Sequence, residues 1–302
     1  MMFNLRENIE NNYHIKIKDL ILLNVVSLNK VFLCTDINNK KYIIKLINTE
    51  VIKNTINSIK FQYMLNQKFN CTPELIFNNK NQLITFLNHK YSYFIQIHIE
   101  CISYNELKNI DVCRFLKRLH VRLNSFNWIK GERYSKKYGE ICLDIENQYI
   151  KLIKTEHINR NNKEILLKSR CILNDKLKKD YSPVNFAFIH GDFKPENLLL
   201  DFNGQFKVID FDFAGYKDID VEICRAAIVF SNFNNNLFFN FLNTYYENHD
   251  NLIQSCIYNY LQYIIASNFP FDIEDSIDSI TLNNLLSERC KIIDFLVKIV
   301  DI

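Results

Sequence analysis

HGDFKPEN, at residues 190–197, and VIDFD, at residues 208–212, are the two stretches that decide the fold of this chain. The segment between them, LLLDFNGQFK, contains an apolar run, an Asn-Gly pair and alternating residues, a pattern that predicts a β-hairpin. A two-residue turn at Asn203 and Gly204 would place Asn197 directly opposite Asp210, with Cβ atoms about 4.5–5.5 Å apart. The pattern therefore predicts that these two polar side chains meet.

Asn197 and Asp210 are predicted to bind a metal ion. An amide oxygen and a carboxylate at that separation suit Mg²⁺, a hard cation that prefers oxygen ligands and keeps several waters. Asp192 precedes Asn197 by five residues on a loop that contains Pro195, so its carboxylate can approach the same point. Asp212 has the same parity as Asp210 and is predicted to add a further contact to the metal site, either to a second metal ion or to the ligands of the first; an Asp that caps the end of a strand is the alternative. A metal-bound phosphate beside a general base is what phosphoryl transfer requires.

The two stretches resemble the shared core of the kinase-like phosphotransferases. The spacing H-x-D-x-x-x-x-N, followed by a hairpin and a metal-binding Asp, is common to protein kinases and to the aminoglycoside phosphotransferase/choline kinase superfamily. Gly191, where protein kinases usually have Arg, and the run Ile-Asp-Phe-Asp in place of Asp-Phe-Gly are similar to the second group. Within that group, Asp218 and Glu222 after the Asp-Phe-Asp run make the chain most similar to the spore-coat CotS-like branch.

The resemblance implies an α+β, bilobal, protein-kinase-like fold. A small β-rich nucleotide-binding lobe would occupy residues 1–98, and a larger, mostly helical catalytic and substrate-binding lobe would occupy residues 99–302. The implied cofactors are ATP and Mg²⁺, the implied acceptor is the hydroxyl of a small molecule, and the implied location is the cytoplasm. The spore-coat branch would add spore-coat or other protein partners and association with the spore. Asp192 would be the catalytic base, and Lys194 would help to hold the transferring phosphate, with a solvated lysine as the alternative.

Residue periodicity agrees with this division of the chain. Strand-like alternation, with a helical run at 50–69 and a short one near the start, occupies the first hundred residues, whereas helical spacing dominates from residue 106 onward. Strands are predicted at 18–26, 30–36, 41–47, 75–77, 83–87 and 91–99. Further helices are predicted at 3–13, around 112–119, and at 141–153, 163–179, 219–230, 237–246, 252–266 and 280–300.

Lys45 is predicted to contact the phosphates of the nucleotide. Its strand alternates Lys45 onto the face that carries Ile43 and Ile47, and a lysine on an apolar face needs an anionic partner or a route to water. ATP phosphates would be that partner, with Ile43 covering the adenine; a lysine on an edge strand that reaches water is the alternative. The backbone that meets the adenine edge is predicted to be that of Gln96, Ile97, His98 and Ile99.

Several other polar residues are interpreted as structural or substrate-binding. The imidazole of His190 is expected to anchor the loop backbone rather than act as the base, and His120 is expected to be packed and hydrogen-bonded in a helix. Glu222 is expected to brace the catalytic loop. The acidic residues within 272–278 resemble carboxylates that hold cationic substrates in aminoglycoside and choline kinases, with a solvated loop as the alternative.

Two departures from the family pattern weaken the prediction that the first lobe binds a nucleotide. Residues 1–130 contain no glycine, so the turn at 24–30 lacks a Gly-rich phosphate loop. Residues 51–73 contain no Asp or Glu, so the helix there offers Lys45 at best the amide of Gln62, or the carboxylate of Glu50 at its start. A lysine without a partner would be mobile and would orient ATP poorly.

These departures make a non-catalytic scaffold, such as a spore-coat assembly protein, the main alternative function. Protein phosphorylation is a weaker alternative, because Lys194 suggests it but no Ala-Pro-Glu segment follows the metal Asp.

Composition and charge exclude other classes. The chain has 302 residues and a net charge of +3, with 37 basic and 34 acidic residues interspersed, which is too balanced to indicate nucleic-acid binding. No run of 18 apolar residues is present, so no membrane span is expected. The nine cysteines lack CxxC spacing, which favours buried, reduced thiols.

Overall fold

The structure is a computed structural model that describes residues 2–24, 29–49, 52–101, 108–126, 159–165, 167, 185–266 and 279–300. It divides into two compact units. The first comprises Met1–Leu107 and His190–Gly215, and the second comprises Lys108–Ile189 and Tyr216–Ile302. The sequence predicts a division by function, with a single boundary at residues 98–99 between a nucleotide-binding lobe and a catalytic lobe. That functional division stays a prediction.

The described part of the first unit contains an antiparallel sheet and two α-helices. The sheet has the order β1-β2-β3-β6-β4, and β5 pairs with β6. In chain order the elements are α1 (Met2–Tyr13), β1 (Ile17–Asn24), β2 (Lys30–Asp36), β3 (Lys41–Asn48), α2 (Ile52–Phe69), β4 (Leu75–Ile76), β5 (Thr85–Phe86) and β6 (Tyr91–Ile97). The elements predicted for this region are confirmed, with ends that differ by a few residues.

The two faces of this sheet pack against different helices. Ile44 and Leu46 of β3 belong to a core that includes Leu5 and Ile9 of α1. Residues of the opposite parity face α2, where Ile47 packs with Ile59 of that helix in a second cluster. Because side chains alternate along a strand, Lys45 shares the face of Ile47 and points toward α2.

A short hairpin in the first unit follows the loop at residues 190–197, which the sequence predicts to be the catalytic loop. The register of this hairpin differs by one residue from the prediction. Its strands, β8 (Leu198–Leu200) and β9 (Phe206–Val208), pair Leu198 with Val208. Asn197 is therefore in line with Ile209, whose N–H donates to the Asn197 carbonyl at 3.0 Å. The predicted direct opposition of Asn197 and Asp210 is wrong.

The turn of the hairpin explains the shift. Asp201 and Gln205 close the loop with a 3.0 Å backbone hydrogen bond, so the loop has three residues rather than two. The carboxylate of Asp201 accepts from the N–H groups of Asn203 and Gln205 at 2.9 and 2.8 Å. Gly204 supplies the left-handed conformation, with φ +73°, that ends such a loop.

The second unit is mostly helical. Among its described residues, β7 (Phe186–Ile189) pairs with β10 (Gly215–Asp218) in a two-stranded sheet. The helices described there are α3 (Asn109–Asn124), α4 (Ile219–Ser231), α5 (Asn235–Tyr246), α6 (Asp250–Ala266) and α7 (Ser279–Val300). These helices confirm the corresponding predictions.

Most residues of the two helices predicted at 141–153 and 163–179 lie outside the described residues, and so does the acidic segment 272–278. In the part of the chain that is described, no helix combines the length and the apolar character needed to cross a membrane.

Candidate active site

The side chains of the catalytic loop converge on the carboxylate of Asp192. Nζ of Lys194 lies 2.8 Å from Oδ2 of Asp192. The amide nitrogen of Asn197 donates to the same Oδ2 at 3.0 Å and to the backbone carbonyl of Asp192 at 2.9 Å. Asp192 is buried, with 9% of its side chain exposed. Two donors therefore fix one carboxylate oxygen of the predicted base and define its orientation.

His190 anchors this loop to the strand that follows it. Nε2 of His190 lies 2.9 Å from the carbonyl oxygen of Ile209, which can only accept, so Nε2 carries the hydrogen. Nδ1 of His190 then accepts from the backbone N–H of Asp192 at 3.3 Å. The structural role predicted for His190 is confirmed.

Gly191 is the residue that lets the loop pass over the turn at Phe211–Phe213. Its φ is +85°, and a Cβ at this position would lie 2.1 Å from the carbonyl oxygen of Phe213. Both the backbone conformation and the close approach exclude any other residue. The glycine that distinguishes this motif from that of protein kinases is thus required by the packing of the loop on the turn.

Lys45 reaches two carboxylates on that turn. Nζ of Lys45 lies 2.5 Å from Oδ1 of Asp210 and 2.6 Å from Oδ2 of Asp212. Strand β3 is an inner strand of the sheet, between β2 and β6, and 15% of the lysine side chain is exposed. The alternative interpretation of Lys45 as an edge-strand lysine is therefore wrong.

Electrostatics keeps this group of side chains charged. Burial by itself would raise the pKa of Asp210, but the ammonium of Lys45, helped by that of Lys194, outweighs burial and lowers it. Burial would likewise lower the pKa of Lys45, but Asp212 and then Asp210 raise it above its ordinary value. Lys45 is a cation and Asp210 an anion at neutral pH.

Asp210 has an unusual backbone conformation for a non-glycine residue. Its φ and ψ are 66° and 67°, in the left-handed region, and it begins the short 3₁₀ turn at Phe211–Phe213. Asp and Asn tolerate this region better than other residues with a Cβ. Because Asp210 is left-handed, the strand does not continue through Asp210 to Asp212. The alternation of side chains along a strand, from which the two residues are expected on one face, therefore does not explain where they lie.

Helix α2 contacts the site through neutral polar groups. Oγ of Ser58 donates to Oδ1 of Asp212 at 3.2 Å, whereas the amide of Gln62 donates to Oε1 of Gln96 at 2.8 Å. Lys45 thus has partners although α2 has no carboxylate, which corrects the expectation of an unpaired lysine. Sequence reasoning missed Ser58; its signal is a polar residue one helical turn before Gln62, facing the strand of Lys45.

The predicted adenine-binding backbone lies at the end of β6. In the ladder between β3 and β6, Ile43 is opposite Gln96, and β6 ends at Ile97. The N–H of Ile97 donates to the carbonyl of Glu74, and the N–H of His98 donates to the carbonyl of Lys41. Those two donors are engaged by the sheet. The adenine contact predicted for Gln96, Ile97, His98 and Ile99 stays a prediction.

The chemistry of the donors fits a magnesium ion. Asp192, Asn197 and Asp210 present carboxylate and amide oxygens, the ligands that Mg²⁺ prefers. Both hydrogen bonds of the Asn197 side chain use its nitrogen, so the amide oxygen is the atom that it would present to a metal. Among the described residues, no three His, Cys, Asp or Glu side chains form a ready-made metal cluster. A metal ion held here would take the amide oxygen of Asn197 together with the carboxylates.

In the second unit, His120 is buried in α3 between two partners. Its Nε2 lies 2.7 Å from Oε2 of Glu222, and its Nδ1 lies 2.7 Å from the hydroxyl of Tyr245. The packed, hydrogen-bonded role predicted for His120 is confirmed. Glu222 contacts this histidine, and its predicted role in bracing the catalytic loop stays a prediction.

Comparisons with known proteins connect this geometry to a family. The model of the phosphotransferase enzyme family matches residues 147–251, a range that contains the catalytic loop, the hairpin and the turn carboxylates. The AMP-bound complex of spectinomycin phosphotransferase is similar, with TM-score 0.65 and 14% identity, over 98% of this chain and 98% of that chain. The resemblance to the aminoglycoside phosphotransferase/choline kinase superfamily is confirmed.

Two further solved structures have the same fold. An amicoumacin kinase in complex with AMP-PNP and Ca²⁺ has TM-score 0.62 and 14% identity, covering 97% of this chain and 92% of that one. Choline kinase LicA from Streptococcus pneumoniae has TM-score 0.57 and 16% identity, covering 96% and 99%. No curated protein sequence matches the chain. The predicted α+β, kinase-like fold class is confirmed, whereas the narrower resemblance to the spore-coat branch stays a prediction.

Proposed function

We propose that the protein transfers the γ-phosphoryl group of ATP to a hydroxyl group of a small molecule. The observation that carries this proposal is the convergence of Lys45 with Asp210 and Asp212, on the turn over which the Asp192 loop packs. The strand lysine, the acidic turn and the catalytic loop are the parts that phosphoryl transfer uses in kinase-like proteins.

Asp192 acts as the general base. The acceptor oxygen forms a bond to the γ-phosphorus, the bond from that phosphorus to the β–γ bridging oxygen breaks, and ADP leaves with the electron pair. The hydroxyl proton passes to the Asp192 carboxylate, whose Oδ2 is held by Lys194 and Asn197. Lys194, with 35% of its side chain exposed, is placed to contact the transferring phosphoryl group as well.

Lys45, Asn197 and Asp210 serve the nucleotide. Lys45 contacts the phosphates, and Ile43 with the backbone of 96–99 holds the adenine. Asn197 and Asp210 would hold Mg²⁺ through their oxygens, and Asp212 was predicted to join them. When bound, this ion neutralises negative charge on the terminal phosphates. Positioning and charge compensation supply most of the rate in such reactions.

Nucleotide binding is the first part to test. In a thermal-shift titration, ATP with Mg²⁺ should raise the unfolding temperature of the wild type, and Mg²⁺ alone should not. Lys45→Met should abolish most of the ATP-dependent shift, because it removes the cation that meets the phosphates. An unfolding temperature that is independent of ATP at millimolar concentration would reject the proposal.

The acceptor is then sought with labelled ATP. The purified protein is incubated with [γ-³²P]ATP, Mg²⁺ and pooled small molecules that carry hydroxyl groups, including aminoglycosides, choline and sugars. Wild type should label one class of acceptor, and Asp192→Asn should not, although it should still be stabilised by ATP. Equal labelling by the two proteins would eliminate Asp192 as the base.

A non-catalytic scaffold is the second candidate, and one observation favours it. Residues 1–130 contain no glycine, so the segment between β1 and β2 has none of the glycines that let a Gly-rich loop approach phosphates closely. The ion pairs of Lys45 remove the other argument for this candidate, the unpaired lysine. The ATP titration decides between the two functions, because a scaffold would show no nucleotide-dependent stabilisation.

A further inference from the structure

Helix α2 lacks the group that fixes the strand lysine in protein kinases. There, an ion pair between the strand lysine and a helix glutamate must be in place for activity. Residues 51–73 contain neither Asp nor Glu, so α2 has no such group. The carboxylate that orients Lys45 must therefore come from a different element.

Asp212 provides a carboxylate, and it is connected to α2. Its Oδ2 contacts Lys45 at 2.6 Å, while its Oδ1 accepts the hydroxyl of Ser58 at 3.2 Å. Ser58 is a buried residue of the helix. Helix, Ser58, Asp212 and Lys45 thus form one continuous chain of contacts. A helix glutamate would make the same connection directly.

Asp210 contacts the same lysine but is suited to a different role. Its side chain is 36% exposed, compared with 25% for Asp212. Two carboxylates around one ammonium group leave an excess of one negative charge. Because Ser58 links Asp212 to the helix, Asp210 is the carboxylate that can exchange the lysine for another cation without loosening the lysine from α2.

We propose that Asp212 is a positioning residue that replaces the missing helix carboxylate and holds Lys45 toward the nucleotide phosphates. This role takes the place of the metal-binding role predicted for Asp212, and it rests on the proposed ATP-dependent function. Ser58 fixes the orientation of the Asp212 carboxylate. Lys45 retains Asp212 when the nucleotide binds, and Asp210 becomes available to the metal ion.

Moving the carboxylate onto the helix tests this proposal. Asp212→Asn removes the partner of Lys45, and Ser58→Glu in the same protein returns a carboxylate on a side chain long enough to reach the lysine. Asp210→Asn is the matched control, because it removes the other carboxylate at Lys45. For each variant, ATP affinity is measured by titration calorimetry, and the Mg²⁺ requirement is measured as the concentration that gives half of the ATP-dependent stabilisation.

Asp212→Asn should weaken ATP binding roughly tenfold and change the Mg²⁺ requirement by less than about twofold. The added Ser58→Glu should bring ATP affinity back to within about threefold of wild type. Asp210→Asn should raise the Mg²⁺ requirement by roughly tenfold or more, as the loss of a ligand does. A similar rise for Asp212→Asn, without recovery by Ser58→Glu, would overturn the proposal and restore the metal role.

A readout without nucleotide separates this proposal from the proposed function. Urea unfolding of the metal-free protein gives a double-mutant cycle between Asp212→Asn and Lys45→Met. The two changes should be coupled by roughly fivefold or more in the unfolding constant, and Ser58→Glu in the Asp212→Asn background should restore a coupling to Lys45. If ATP does not stabilise the wild type, the proposed function fails. This cycle alone then decides whether Asp212 pairs with Lys45, and a coupling below about twofold would reject that pairing.

Discussion

Two pairs of carboxylates in this chain are held in opposite ways. The turn carboxylates, Asp210 and Asp212, both contact the ammonium of Lys45. The helix carboxylates, Asp218 and Asp220 at the start of α4, are held by neutral donors. Asp218 accepts the backbone N–H of Asp220 at 3.0 Å. Asp220 is buried and accepts from Tyr246, Asn259 and Asn185 at 2.7, 2.8 and 3.3 Å.

The difference appears in the pKa of Asp210 and of Asp218. Lys45 lowers the pKa of Asp210 despite burial, whereas burial and the neighbouring Asp220 raise the pKa of Asp218 to about 7. A carboxylate that faces a flexible lysine can exchange that partner for a metal ion or follow the lysine toward a phosphate. A carboxylate enclosed by fixed amide and hydroxyl donors has one geometry. The turn pair therefore needs its charge, and the helix pair needs mainly its acceptors.

Asp210→Asn should show the largest effect, because it removes charge and preserves shape. We expect kcat/KM to fall roughly 10²–10³-fold, the range for loss of one preorganised electrostatic contact. The free energy of unfolding should change by less than about 1 kcal/mol, since the Asp210 side chain is partly exposed and screened by solvent. Steady-state kinetics with the acceptor found by labelling and urea unfolding are the two measurements.

Asp220→Asn is the matched control in the helix pair. Its amide oxygen can still accept from Asn259 and Asn185, and the hydroxyl of Tyr246 can turn to accept from the new amide nitrogen. We expect kcat/KM to stay within about threefold of wild type, because one satisfied network replaces another. Similar losses of activity in Asp210→Asn and Asp220→Asn would contradict the distinction between the pairs.

Most of this arrangement could be predicted from the sequence, because the spacing of apolar residues shows which face of a helix or strand is buried. The alternation in β3 predicts Lys45 on the face that does point toward α2, and four of the helices predicted in the second unit, at 219–230, 237–246, 252–266 and 280–300, are present with nearly the same ends. His190 was interpreted correctly as a backbone anchor. Each of these predictions depends on the geometry of one strand, helix or loop, which nearby residues in the sequence determine.

The register of the hairpin could not be predicted, because two turns compete for the same residues. Asn203-Gly204 is a strong signal for a two-residue turn, but Gly204 also suits the left-handed position that ends a three-residue loop. The carboxylate of Asp201 favours the longer loop. A shift of one residue changes the cross-strand partner of every residue in the two strands. Asn197 is therefore not opposite Asp210. The pairing of Lys45 with Asp212 depends on a left-handed Asp210, which no pattern reveals.

Gly191→Ala should separate the catalytic loop from the turn carboxylates. A Cβ there would lie 2.1 Å from the Phe213 carbonyl oxygen, so the loop or the turn must move. We expect a loss of about 2–4 kcal/mol in the free energy of unfolding, measured with urea, and a lower kcat/KM at equal ATP affinity.

Gly204→Ala controls for backbone conformation alone. It also has positive φ, but nothing lies within 4 Å of a Cβ at that position. Its cost should be about 1 kcal/mol, with little effect on activity. If the two glycine variants lose equal stability, the close approach of the loop to Phe213 is not what requires Gly191.

Asp220→Ala should damage the helix pair through its donors rather than through charge. It leaves Tyr246, Asn259 and Asn185 without their buried acceptor, which should cost about 2–3 kcal/mol of unfolding free energy. Asp220→Asn should cost less than about 1 kcal/mol, because the acceptor is retained. Urea unfolding of both variants measures the difference. Equal destabilisation by Ala and Asn would mean that the negative charge of Asp220 holds the network.

Asp218→Asn should have the smallest effect and should depend on pH. The folded pKa of Asp218 is raised from 3.8 to about 7, so its contribution to stability is complete below pH 3.8 and is lost as the pH rises through 7. Asn still caps α4 as well as Asp does. The variant should therefore be more stable than wild type by about 1–2 kcal/mol at pH 8 and equal to it near pH 4. A stability difference that is constant from pH 4 to pH 8 would show that folding does not raise the pKa of Asp218, and would remove the contrast with Asp210.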